Sequence, residues 1–228
     1  LAMLMSIGAS IWTRVTFNRY KKIRLASGQT GAQIAEKILD HYQMSAAQGS
    51  AQPVRVERAQ GILTDYYSPK TRTVALSDPV WGGSSIAAAG VAAHECGHAI
   101  QHQRGFLPNA IRSLLAPAAG VGARFGPYLA FAGILLVYAF EMASIGVWLL
   151  NIGIILYFAA VVFYFVTLPV EIDASRRALK ILREQQVLSG AELTGARKVL
   201  TAAAMTYIAA AVVALLTLLR LLAFRRRA

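Results

Sequence analysis

The sequence has a single cysteine, Cys96, so no intrachain disulfide can form. Acids are scarce. There are 11 aspartates and glutamates against 23 lysines and arginines, a net charge of +12. An excess of that size suits either nucleic acid or an anionic membrane surface. The basic residues flank apolar segments, and no nucleic-acid recognition motif is present. The reading is therefore anchoring against anionic lipid, with no nucleic-acid partner. There is also no internal repeat, no low-complexity tract and no small-residue cleavage site of the kind that ends a secretory signal.

What the chain does have is apolar length. Of its 228 residues 56% are hydrophobic, and the mean hydropathy is +0.49. Ordinary soluble domains hold roughly 45–50% apolar residues. The excess lies in long runs, which predict an integral membrane protein. Residues 1–13 are apolar but shorter than the roughly 20 residues a bilayer requires, and read as part of a first transmembrane helix. Arg14, Arg19, Lys21, Lys22 and Arg24 follow and place the next segment in the cytoplasm. Residues 14–110 read as a small cytoplasmic α+β domain. It has a helix capped by Thr30, strands at 53–59, 61–67 and 72–77, and a helix over 85–103 ended by Gly105 and Pro108. Residues 111–170 read as a transmembrane hairpin. Residues 171–200 read as charged cytoplasmic helix, and 201–228 as a fourth transmembrane helix with a basic tail. If that last helix spans, Arg225, Arg226 and Arg227 fall on the side opposite to the other basic loops. The expected fold is mainly α: a helical membrane bundle carrying a small cytoplasmic domain of helix, short β-sheet and a second helix.

The chemistry concentrates in "VAAHECGHAIQHQ", residues 91–103. His94 and His98 are four apart, so on a helix they stand on one face, one turn apart. Two imidazoles so placed can share one zinc ion at about 2.0–2.1 Å each. Glu95 is rotated about 100° away. That keeps it off the metal but beside a bound water, whose proton it could take and then pass to a leaving amine. This is the zincin arrangement, His-Glu-x-x-His. His102 lies four further on, about 12 Å along the axis from His94 on a continuous helix. It cannot join the same ion and reads as a supporting or oxyanion-binding residue.

A third ligand must come from elsewhere, and the few acids shorten the search. Glu36, Asp40 and Glu57 fall on amphipathic or strand surfaces. Glu184 and Glu192 fall in solvated stretches, and Glu141 at a membrane-helix end. Glu171 and Asp173 stand just after Pro169, where the third membrane helix is expected to meet the cytoplasm. Glu171 shares a helix face with Ser175 and is the preferred carboxylate to complete a His₂Glu set; the alternative is a carboxylate that pairs with Arg176 or Arg177 at the helix N-terminus. Asp173 points elsewhere and can pair with Arg176 or Arg177. Tyr66 or Tyr67 is a candidate oxyanion donor, and on an alternating strand only one can face the site. Val74, Ala75 and Leu76 are a candidate edge strand for an extended substrate, with plain packing as the equal alternative.

The blocks "LTDYYSPKTRTVALS", "SIAAAGVAAHECGHAIQHQ", "TLPVEIDASRRA" and "ARKVLTAAAMTYIAAA" resemble the YugP-type membrane zinc metallopeptidases of bacteria. Four separated blocks match in order, across about Arg14 to Arg220. The resemblance implies a membrane-embedded gluzincin of the bacterial inner membrane, with His94, His98 and a downstream glutamate as ligands. HtpX-type and CAAX prenyl proteases are more distantly similar. Their second motif is Glu-x-x-Ala-Asp, where this chain has "EIDAS". Glu171 and Ala174 match, Ser175 replaces the aspartate, and Asp173 is the carboxylate that could take over its role. The expectation is thus a multi-pass zinc endopeptidase whose site faces the cytoplasm and whose substrates are membrane or membrane-proximal proteins. Membrane lipids, and a regulatory membrane partner or a second copy of the chain, are its expected partners. The alternative is a zinc-stabilised membrane scaffold or partner subunit without turnover.

Overall fold

The computed structural model describes residues 2–227, with side chains from residue 4. Leu1, the first residue of the expected partial transmembrane helix, lies outside the described residues. The chain is mostly helical, with a small three-stranded sheet. Helix α1 runs Ala2–Lys21 and α2 Gly31–His41. Strands β1 (Arg55–Ala59), β2 (Tyr66–Ser68) and β3 (Thr73–Ser77) follow. Then come a short α3 (Asp78–Trp81), α4 (Ile86–Gln103), α5 (Leu107–Tyr138), α6 (Ala143–Glu184) and α7 (Gly190–Arg225). Helices α5, α6 and α7 are each long and apolar enough to cross a membrane.

The helices are longer than the sequence pattern predicts. The start of the expected hairpin is helical within α5, despite Pro117 and Pro127. The third membrane helix and the charged helix after Pro169 are one helix, α6. The end of the expected cytoplasmic segment 171–200 and the fourth membrane helix are likewise one, α7. α1 extends past Thr13 to Lys21. The physical reason is shared. An apolar half and a charged half have different surface patterns and read as two elements, but their backbone hydrogen bonds run on unbroken. Pro169 removes one N–H donor. Just before it, the Thr167 hydroxyl donates to the Phe163 carbonyl, 2.8 Å away. The strands are shorter than expected, and residues 61–65 form no strand.

Two compact units can be separated. The first comprises residues up to Gly8, Leu107–Pro169 and Thr206 onward. Within it α5 and the first part of α6 pack through small residues. A Cβ at Gly122 would sit 1.9 Å from the Leu156 carbonyl oxygen, and one at Gly153 would sit 2.4 Å from the Ala130 nitrogen. Only glycine permits that approach, the usual way apolar helices associate without a hydrophobic driving force.

The second unit comprises Ala9–Phe106 and Val170–Met205. Thr30 caps α2 by a capping box with Gln33, and its buried face carries Ile34, Ile38 and Leu39. The sheet order is β1-β3-β2, with β1 parallel and β2 antiparallel to β3. Every residue of β3 is buried. Val74, Ala75 and Leu76 are therefore not an edge. Both sides of their strand are paired, and the free edges belong to β1 and β2. The expectation of a substrate edge on β3 is corrected by this topology. Ser85 caps α4, its hydroxyl accepting from the Ala88 N–H. Gly105, at φ +61°, ends the turn beyond it. The core of this unit gathers α2, β3, α4, the end of α6 and the start of α7.

Candidate metal centre

All candidate site residues fall in the second unit. Helix α4 is small-sided where it carries the histidines. A Cβ at Gly97 would sit 2.8 Å from the Ala174 carbonyl oxygen of α6, and Ala93 and Ala174 are fully buried. The two backbones therefore approach closely enough for a side chain from α6 to reach the α4 histidines. Glu171 does so. Its Oε2 lies 3.3 Å from His94 Nε2 and 3.5 Å from His98 Nε2. The three ligand atoms all lie within 4.8 Å of one another. The imidazole rings meet edge to face at 83°, with centroids 4.7 Å apart.

These distances test whether a metal fits. Tetrahedral zinc with ligands at 2.0–2.2 Å has ligand–ligand edges of about 3.3–3.6 Å. The two histidine–carboxylate separations match such edges. They are long for charge-assisted hydrogen bonds, which run to about 2.7–2.9 Å. The donor set, two imidazoles and a carboxylate, suits zinc.

The outer nitrogens of both histidines are held. His94 Nδ1 lies 3.1 Å from the Ser175 hydroxyl, one turn beyond Glu171 on α6. His98 Nδ1 lies 3.0 Å from Gln101 Oε1. Gln101 is fully buried, and its amide orientation is determined by its other partners. Its Nε2 donates to the Val170 carbonyl and to Asp173 Oδ2, each 2.8 Å away. Its oxygen must then face His98, and an amide oxygen only accepts. His98 Nδ1 therefore carries a proton, and Nε2 of the neutral ring presents a lone pair toward Glu171. A cation between them converts a repulsive approach into coordination. Without one, protons must fill the gap. Burial lowers the proton affinity of His98, but Glu171 and Glu95 outweigh it and raise it above the ordinary histidine value. Asp173 also binds the Arg177 guanidinium, so the chain of contacts runs Arg177–Asp173–Gln101–His98.

Gln101 was not singled out from the sequence. Its signal was its position three residues beyond His98, on the same helix face. Gln101→Leu should weaken zinc binding about 10- to 100-fold, the usual effect of losing an outer hydrogen-bond partner. Competition titration against a chelating dye measures this, and an unchanged Kd would remove Gln101 from the account.

Glu95 is buried at 8% exposure. It makes no hydrogen bond or ion pair with another described residue. Burial raises its pKa, His94 and His98 oppose the rise, and Asp65 and Glu171 add to it. Asp65 accepts from both the backbone N–H and the hydroxyl of Ser77. Cys96 is fully buried, and desolvation pushes its thiol far above the ordinary range. It is a packed apolar residue rather than a ligand.

His102 stands apart from the cluster. Its Nδ1 lies 2.9 Å from the Tyr67 hydroxyl. Burial and the nearby Arg72 lower its pKa, so it is neutral near pH 7. The bond ties the edge strand β2 to the metal-site helix α4. Tyr66, the neighbour on β2, is 53% exposed and makes no such contact.

A family model described as "Putative neutral zinc metallopeptidase" matches residues 1–226. The chain is 40% identical over 221 residues to "Putative membrane protease YugP" of Bacillus subtilis (strain 168), covering 95% of this chain and 92% of that protein. No solved structure matches the chain. A match of that extent, in a chain with three membrane-capable helices and a buried His–His–Glu cluster, places it in the family of YugP-type neutral zinc metallopeptidases.

Proposed function

We propose that this chain is an integral membrane zinc endopeptidase in which His94, His98 and Glu171 hold the metal and Glu95 moves the proton. The observation that carries the reading is the convergence of His94 Nε2 and His98 Nε2 on Glu171 Oε2, at 3.3 and 3.5 Å, with all three atoms within 4.8 Å of one another. Bound zinc supplies a Lewis acid that polarises the scissile carbonyl and makes water acidic enough to lose a proton near neutral pH. Glu95, buried next to the cluster with no competing partner, accepts that proton on its carboxylate. It then delivers the proton to the departing amine as the peptide bond breaks. Its raised pKa suits both steps, since it can hold the proton between them. Ser175 and Gln101 orient the two imidazoles. Tyr67 and His102 share one hydrogen bond, which leaves the pair a single free donor, the Tyr67 hydroxyl or His102 Nε2–H, for a developing oxyanion.

The expected substrates are membrane or membrane-proximal proteins, and the expected place is the bacterial inner membrane with the site on the cytoplasmic side. Three span-capable helices and a membrane-protease relative support the membrane setting, and the basic residues from Arg14 to Arg24 favour the cytoplasmic side. The test is hydrolysis of an unfolded membrane-protein substrate by the purified full chain in detergent. A zinc chelator should abolish cleavage, and stoichiometric zinc should restore it. Cleavage that survives complete zinc removal contradicts the proposal. Tight zinc binding with no hydrolysis of any unfolded substrate would favour a zinc-stabilised scaffold instead.

A further inference from the structure

The second unit has another cleft, made by the end of α1 and the loop before α4. Its volume is about 760 Å³, and its walls include Lys21, Lys22 and Arg24 on one side and Gly83 and Ser84 on the other. No acid lines it. The carboxylate on the neighbouring α7, Glu192, accepts from the Ala26 N–H at 3.0 Å. Lys21, Lys22 and Arg24 are exposed. None of the three side chains forms an ion pair or hydrogen bond with a described residue. The Ser84 hydroxyl is buried and has no hydrogen-bond partner. That hydroxyl is closed to solvent and offers the cleft no donor. Three unpaired cations on one cleft without an acid describe a site for a phosphate-bearing anion.

The surface of α1 leading to the cleft indicates which anion. Ile11, Trp12 and Val15 form one helix face and are 56%, 47% and 60% exposed. The helix ends at Lys21, and Lys22 and Arg24 follow just beyond it. Ile23, between two of the cleft cations, is 43% exposed. A free phosphate gains nothing from this apolar face. A phospholipid can place its headgroup in the cleft and its acyl chains along Ile11, Trp12 and Val15. We infer that the cleft is a binding site for the phosphate headgroup of an anionic phospholipid, independent of the metal centre.

Native mass spectrometry of the full chain in detergent tests this, with phosphatidylglycerol, phosphatidylcholine and inorganic phosphate as probes. The expected result is retention of one phosphatidylglycerol in clear preference to phosphatidylcholine. The double variant K22S/R24S should bind it at least about tenfold more weakly, as two lost cations at a membrane surface would dictate. Trp12→Ser should weaken it, whereas the charge-preserving pair K22R/R24K should retain it. If K22S/R24S fails to fold, these two variants decide the matter. Equal binding of the two lipids, or phosphatidylglycerol binding unchanged by every variant, overturns the proposal. Full displacement of the lipid by inorganic phosphate, with no effect of Trp12→Ser, would overturn the lipid assignment in favour of a free anion.

Discussion

Glu95→Gln should leave zinc bound and lower peptide hydrolysis by about 10²- to 10⁴-fold, the usual contribution of a positioned general base. The substitution is nearly isosteric, so the buried pocket around residue 95 keeps its shape. Glu95 is not among the converging ligand atoms, so the metal should stay. What disappears is the ability to accept a proton from water and return it to the amine. The measurement pairs zinc content with initial rates on one substrate. Full activity in this variant would assign the proton transfer to another group. Loss of zinc would mean that Glu95 serves the metal instead.

Glu171→Ala should weaken zinc binding by more than about 100-fold, the upper end of what loss of an outer hydrogen-bond partner costs. Glu171 is 2% exposed and supplies the single oxygen of the cluster, so no exposed side chain can replace it without moving α6. The effect should also appear in stability. A ligand held a hundredfold above its Kd stabilises the folded chain by about 2.7 kcal/mol. Added zinc should therefore raise the Tm of the wild type and leave that of Glu171→Ala unmoved. An equal zinc-dependent shift in both would transfer the third ligand to another residue, with Asp173 the first to examine.

Local chemistry in the sequence located part of this structure and long-range pairing located the rest. The α4 helix was legible because Ser85, the histidine spacing and Gly105 are all short-range signals. The cap at Thr30 was legible for the same reason, whereas its pairing with Gln33 emerged from the structure. The central position of β3 was not. β1 pairs with β3 across the intervening β2, and nothing within either segment encodes that skip. The continuity of α6 through Pro169 was also hidden. Proline normally argues against a helix interior, but an apolar backbone is best satisfied by remaining helical. The few acids brought Glu171 forward as a ligand candidate. The supporting layer was read less well. Ser175 stands where related motifs carry aspartate, and it contacts His94 directly. Asp173 reaches His98 only through Gln101. That relay needs an atom-level view, because two hydrogen bonds to Gln101 Nε2 are what turn its oxygen toward the histidine.

The most direct test of the central claim is zinc K-edge X-ray absorption on the purified full-length wild type. The account predicts one zinc per chain, with two imidazole nitrogens and carboxylate and water oxygens at about 2.0–2.2 Å and no sulfur. A zinc–sulfur distance of about 2.3 Å would implicate Cys96. That result, or protein without zinc after purification free of chelators, would contradict a His94–His98–Glu171 metal centre.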